Sequence, residues 1–222
     1  MCNLSSKGIA KQHHYTVYLF DRKKVAPKEY SVEEMADDQF RVLKEIGIEK
    51  ADFYGVSQGG MIGLAMAIRH PEIINKLVVC STLAKASKEM LETVKIWSEL
   101  AERKDVIHLN RAFFNMVCSE SYRKQFEEVL PELEKVGPNE DCEHFLTFIK
   151  ACAKIDLADK LKEIKCPVFV LGDTNDTVLG IEETHRLIKE LGCESYIYNE
   201  YSHSVYDEAP DIKNRIFEFL KK

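Results

Sequence analysis

Apolar and polar positions alternate along the chain in two rhythms, and they change places twice. Tyr15-Thr16-Val17-Tyr18-Leu19-Phe20 is rich in β-branched and aromatic residues and predicts a strand that ends at Asp21-Arg22. Ser31 and Glu34 then form a Ser-x-x-Glu capping box. Val32, Met35, Phe40, Val42, Leu43 and Ile46 follow at largely helical spacing, up to Gly47. Ala51 to Tyr54 predicts a second strand, and Met61 to Ala67 a helix of small apolar residues that runs to His70, where Pro71 ends it. Leu77-Val78-Val79-Cys80 is short and apolar on both faces, as in a buried parallel strand. From Leu83 to Leu161 the pattern is helical throughout, with breaks at Lys104-Asp105, Ser119-Glu120 and Gly137-Pro138. The strand–helix rhythm returns with Val168-Phe169-Val170-Leu171, a helix from Ile181 to Leu191 closed by Gly192, the strand Tyr196-Ile197-Tyr198, and a helix from Pro210 to Leu220. Before Tyr15 there is a weak helical pattern from Lys7 to Gln12.

Alternating strands and helices predict an α/β fold with a mostly parallel sheet. The long helical stretch falls between two strands of that sheet, which divides the chain into a core (1–82), an inserted helical cap (83–161) and a second part of the core (162–222).

The stretch Gly55-Val56-Ser57-Gln58-Gly59 lies where the second strand gives way to its helix. Gly-x-Ser-x-Gly in that setting is the pattern of a nucleophile elbow, a strained turn that raises a serine hydroxyl above the sheet. Glycines relieve the crowding of such a turn. The helix N-terminus behind it offers free amide hydrogens to negative charge.

An elbow serine needs a base, and the base needs an acid to orient it. Of the seven histidines, His203 alone sits in a loop after a C-terminal strand. His13 and His14 precede the first strand, His70 ends a helix, His108 and His144 belong to the helical stretch, and His185 is inside a helix. Asp173 and Asp176 both follow the strand before it. Asp176 is preferred because it stands further along the loop. Ser81-Thr82, after the strand ending at Cys80, offers no rival carboxylate.

Composition narrows the partners. The chain has 222 residues, 45% hydrophobic and 31% charged, ordinary for a globular protein. A net charge of -6 without a basic run argues against nucleic acid. No apolar stretch approaches the ~20 residues that span a bilayer, and the N-terminus lacks the apolar core of a signal peptide. Seven cysteines without a Cys-x-x-Cys pair predict reduced thiols in a cytoplasmic protein, with no zinc site.

The chain resembles the α/β-hydrolase fold family, in particular its group with a helical cap. The matching pieces are Phe20-Asp21-Arg22, Tyr30 to Asp38, Gly55 to Gly60, Pro167 to Gly172, and His203-Ser204 followed by Glu208-Ala209-Pro210. The resemblance implies a Ser57–His203–Asp176 triad with the backbone N–H of Gln58 as an oxyanion donor, and no metal or organic cofactor. It implies a serine hydrolase that cleaves an ester, lactone or similar small acyl compound. A peptidase or carbon–carbon bond hydrolase would use the same triad, and a truncated non-catalytic relative would keep it without turnover. Two departures stand out. Arg22 is followed by Lys23-Lys24-Val25-Ala26-Pro27 where the family usually has a glycine-rich loop, and Val56 stands where a histidine is common. The family also has three strands ahead of the one matched by Tyr15–Phe20, and a His-Gly-type loop that gives a second oxyanion donor. Residues 1–14 carry neither. The expectation is a sheet lacking the family's N-terminal strands: either Tyr15–Phe20 pairs directly with Ala51–Tyr54, or the given chain lacks its natural N-terminal part, and exposed strand edges favour self-association. Low esterase activity and lowered stability would follow from it.

Overall fold

A computed structural model describes residues 13–135 and 141–222. The helical pattern at Lys7–Gln12 and the break at Gly137-Pro138 lie outside the described residues.

The centre is a parallel four-stranded sheet in the order β1-β2-β3-β4, with β1 Ala51–Val56, β2 Ile74–Cys80, β3 Val168–Asp173 and β4 Glu194–Tyr198. Its inner strands are apolar on both faces because both are covered. Leu77, Val79, Val168 and Val170 point into one buried cluster, and Val78, Cys80, Phe169 and Leu171 into another. The first cluster is closed by α1 (Val32–Glu45), α2 (Gln58–Arg69) and α8 (Ile181–Leu191), the second by α10 (Ile212–Lys221) through Ile212, Ile216 and Phe219. The capping box at Ser31 and Glu34 forms with both reciprocal bonds, so α1 starts where its side chains satisfy the first free N–H groups.

Between β2 and β3 the chain leaves the sheet for a helical lobe: α3 Lys88–Glu102, α4 Val106–Val117, the short α5 Glu120–Lys124 and α6 Leu130–Leu133, and α7 Cys142–Ala153. A 3₁₀ turn, Ala158–Glu163, brings it back. The two ends of the lobe are bound together at its neck. Lys85 and Asp156 form an isolated antiparallel bridge, Leu157 N–H donates to Ala84 O at 2.7 Å, and Ala86 N–H to Ile155 O at 3.2 Å.

One expectation is corrected. Residues 15–20 are not a strand and form no ladder with β1. The segment touches β1 through side chains instead. Tyr15 Oη donates to Asp52 Oδ2 at 3.1 Å, and the Tyr15 ring lies 5.6 Å from that of Phe217. Strand propensity describes how side chains suit a pleated surface, and it has no expression without a neighbouring strand to take the N–H and C=O groups. Leu19 is accordingly 72% exposed. β1 is therefore an edge strand, with β2 its one strand neighbour among the described residues.

Candidate active site

β1 runs straight into a forced turn. Ser57 has φ 50° and ψ -121°, a conformation that L-residues avoid and that costs of order 1–3 kcal/mol. Its surroundings hold it there. Ser57 N–H donates to Cys80 O at 2.9 Å, and Ser57 O accepts from Thr82 Oγ1 at 2.8 Å and from the Gly60 N–H at 2.9 Å. The glycines divide the labour unequally. A Cβ on Gly55 would lie 2.2 Å from the carbonyl oxygen of Gly59, and one on Gly60 would lie 2.6 Å from Thr82 Cβ, whereas Gly59 has open space around it. The motif's first glycine and the residue after its last one are therefore the positions where the turn excludes a side chain.

His203 arrives in the loop after β4, and its ring stands between two partners. Nδ1 is 2.8 Å from Asp176 Oδ2, and Nε2 is 3.0 Å from Ser57 Oγ. Asp176 and His203 are 6% and 3% exposed, so the bond between them is shielded from water, while the one to Ser57 is part-buried. Asp176 is fixed through its other oxygen, Oδ1, which accepts the N–H groups of Val178 and Leu179, each at 3.0 Å. Asp173 has a different task. Its carboxylate is taken by the N–H groups of Asn175 (2.8 Å) and Tyr201 (2.9 Å), which shape the loops on either side.

Gln58 begins α2, where the first amides of a helix lack intrahelical acceptors. Its side chain is turned away, donating to Phe148 O at 2.7 Å and Cys152 Sγ at 3.1 Å, both on α7. Burial pushes the Cys152 thiol up to about 11. The Arg22 guanidinium stacks on Phe148 with Cζ 4.8 Å from the ring centroid, and the protein packed around it lowers its pKa even though solvent reaches the side chain.

Several residues at the site carry no sequence signal of their own. Thr82 supports the elbow. Ser81, itself at φ 47°, donates its hydroxyl to His203 O at 2.7 Å. Their position at the carboxyl end of an apolar strand is the one hint, since that is where α/β sheets gather their polar work. The helical lobe reaches the site through Phe148 and also through α3, where Ser87 Oγ donates to Leu179 O at 2.6 Å and Thr93 Oγ1 to Val178 O at 3.4 Å. Among the described residues no group of three or more His, Cys, Asp or Glu side chains could hold a metal ion, and no helix is long and apolar enough to cross a membrane.

Comparison with known proteins bears on the family and the fold. A family model described as alpha/beta hydrolase fold matches residues 3–210. A Rhizobium rhizogenes protein named carbamate hydrolase RutD is 27% identical over 88% of this chain and 76% of its own. The 3-oxoadipate enol-lactonase 2 of Acinetobacter baylyi is 22% identical over 87% of this chain and 72% of its own. Among solved structures, a hydrolase from Pseudomonas aeruginosa PA01 superposes with a TM-score of 0.84 at 19% identity, covering 99% of this chain and 84% of that one.

Proposed function

The chain belongs to the alpha/beta hydrolase fold family and is an enzyme of the hydrolase class; from that premise we propose that it is a serine hydrolase that cleaves an ester, lactone or similar small acyl compound through an acyl-enzyme. The observation that carries this reading is the buried His203 ring, bonded at one nitrogen to Ser57 and at the other to Asp176. Ser57 Oγ attacks the carbonyl carbon as His203 Nε2 takes its proton. Asp176 keeps the remaining proton on Nδ1 and stabilises the imidazolium that forms. The oxyanion is received by the Gln58 backbone N–H, since the Gln58 side chain is engaged with α7. His203 then gives its proton to the leaving group, and water releases the acyl chain by the same route in reverse. No metal or organic cofactor enters these steps.

The helical lobe of residues 83–161 acts in this reading as a cap that shapes the substrate pocket. Its bonds to the elbow and to the Asp176 loop support that role. The relatives named carbamate hydrolase and enol-lactonase support a small carbonyl substrate. The edge of β1 that has no strand neighbour among the described residues supports self-association, and the unbridged thiols of Cys118, Cys152, Cys166 and Cys193 support a reducing, cytoplasmic setting.

A fluorophosphonate probe tests the nucleophile. Covalent labelling of the wild type, lost in Ser57→Ala, is the expected result. A folded wild type that takes no label would overturn the reading.

A further inference from the structure

Both loops that bring Asp176 and His203 to Ser57 are tied to one helix end. α4 finishes at Val117, and the last carbonyls of a helix have no intrahelical partner. Here they are taken up from the site. Val117 O accepts the backbone N–H of Ser204 at 2.9 Å and lies 3.1 Å from the Ser204 hydroxyl, while Thr177 Oγ1 donates to Met116 O at 3.5 Å. Ser204 follows His203, and Thr177 follows Asp176.

Glu208 completes the tie. On the short helix α9 (Val205–Glu208), its carboxylate accepts the hydroxyl of Ser204. It also accepts the backbone N–H of Ser119 at 3.0 Å and the Ser119 hydroxyl. Ser119 lies two residues beyond the end of α4, and its hydroxyl caps α5 by accepting the Tyr122 N–H at 3.2 Å. One carboxylate thus joins the residue after the histidine to the junction between two helices of the lobe. Bonds to an ionised acceptor are about twice as strong as neutral ones, so the single Ser204 hydroxyl proton goes to Glu208 and leaves Val117 O to the backbone N–H.

We propose that Glu208 is a positioning residue, which locks the His203 loop to the α4–α5 junction so that alignment of the imidazole depends on where the helical lobe sits. This rests on the hydrolase reading of Ser57, because it assigns the aligned imidazole a catalytic task. Without the carboxylate the loop keeps the Ser81 bond to His203 O, the Ser204 bonds to Val117 O and the Tyr201 N–H bond to Asp173, and loses its link to Ser119. The ring can then drift from Ser57 Oγ, and a displacement of about 1 Å can cost ~10²-fold in rate.

Glu208→Ala, Glu208→Gln and Ser204→Ala are the variants to compare. Turnover of a simple ester is measured alongside the low-field NMR signal of the His203 Nδ1 proton, which reports the bond to Asp176 whether or not the enzyme turns over. Glu208→Ala is expected to lower kcat by about 10- to 100-fold, to leave KM nearly unchanged, and to shift or broaden the His203 signal. Glu208→Gln keeps an oxygen for the Ser119 N–H and the Ser204 hydroxyl, and should restore both readouts. Ser204→Ala loses one arm of the tie, keeps the carboxylate's bonds to Ser119, and should fall between. A Glu208→Ala protein with unchanged kcat and an unchanged His203 signal overturns the proposal. So does a loss of turnover that follows loss of thermal stability while the signal of the folded protein stays put. If the wild type fails to take a fluorophosphonate label but the His203 signal moves in Glu208→Ala, the positioning role stands and the hydrolase reading falls.

Discussion

His203 Nδ1 and Asp176 Oδ2 are 2.8 Å apart, and the second oxygen of Asp176 is already occupied by the N–H groups of Val178 and Leu179. The carboxylate is therefore held in one rotation. Asp176→Asn would keep its carbonyl oxygen on those two amides, because only oxygen can accept from them. Its NH₂ group must then face His203 Nδ1, donor against donor, unless the ring moves its proton to Nε2. In that tautomer Nε2 cannot take the proton of Ser57. The expected outcome is a fall in kcat of about 10⁴ with little change in melting temperature, read by ester hydrolysis and a thermal melt. A variant with near-native turnover would remove Asp176 from the mechanism.

Gly55 and Gly59 occupy equivalent places in the Gly-x-Ser-x-Gly pattern but not in space. Gly55→Ala drives a methyl group into the backbone of Gly59 and Gly60, which cannot swing aside as a side chain could. We expect a loss of at least ~3 kcal/mol, the top of the usual overpacking range, together with loss of probe labelling at Ser57. Gly59→Ala meets nothing within 4 Å and should cost well under that. Urea denaturation of the two variants side by side checks the difference.

Those glycines show how far a sequence can be read. The pattern marks the elbow, because a strained turn between strand and helix needs small residues close to one another in the chain. The capping box at Ser31 and Glu34 is legible for the same reason, since both partners lie within one helical turn. His203 and Asp176 are legible through their order and their places after strands. Contacts that depend on distant chain meeting distant chain are not. Nothing local tells Glu208 that it will hold Ser119, 89 positions away, or Ser81 that it will hold the backbone of His203. Tyr15–Phe20 fails in the opposite sense. Its composition is that of a strand, but a ladder belongs to two segments, and this one has no strand partner among the described residues.

Acid should loosen the seam between α1 and α2. Asp37 is bound by Arg69 through two bonds, 2.8 and 2.6 Å, and by His70 at 2.7 Å, and the Arg69 bonds hold its carboxyl below the usual range. A carboxyl depressed in this way adds stability that is fully present above its unfolded pKa of about 3.9, and lost as pH falls through the lower folded value. Asp37→Asn removes that contribution at every pH. At neutral pH we expect it to cost about 1 kcal/mol for a half-exposed bidentate pair, a drop of about 2–4 °C in melting temperature for a chain of this size. The gap between variant and wild type should close as the melts are repeated below about pH 3. A gap that persists unchanged in acid would show that Asp37 acts by packing and not by charge.

The last expectation concerns the edge of the sheet. Among the described residues β1 has a strand neighbour on one side only, and Tyr15, in a segment that forms no ladder with it, touches it through its side chain. A free strand edge carries a row of donors and acceptors that another chain can satisfy. Next to it Val17, Tyr18 and Leu19 are 41%, 49% and 72% exposed, which adds apolar surface to the same region. We therefore expect the protein to associate with itself as its concentration rises, and the contact to run through this edge. Sedimentation velocity over a wide concentration range checks the first point. Leu19→Lys checks the second. Leu19 is already mostly in solvent, so a charge there should leave the fold intact while it opposes apposition of two edges. The variant should sediment as a monomer where the wild type does not. A wild type that stays monomeric throughout, or a variant that associates equally well, would mean that residues 15–20 already shield β1 through the side-chain contacts of Tyr15 alone.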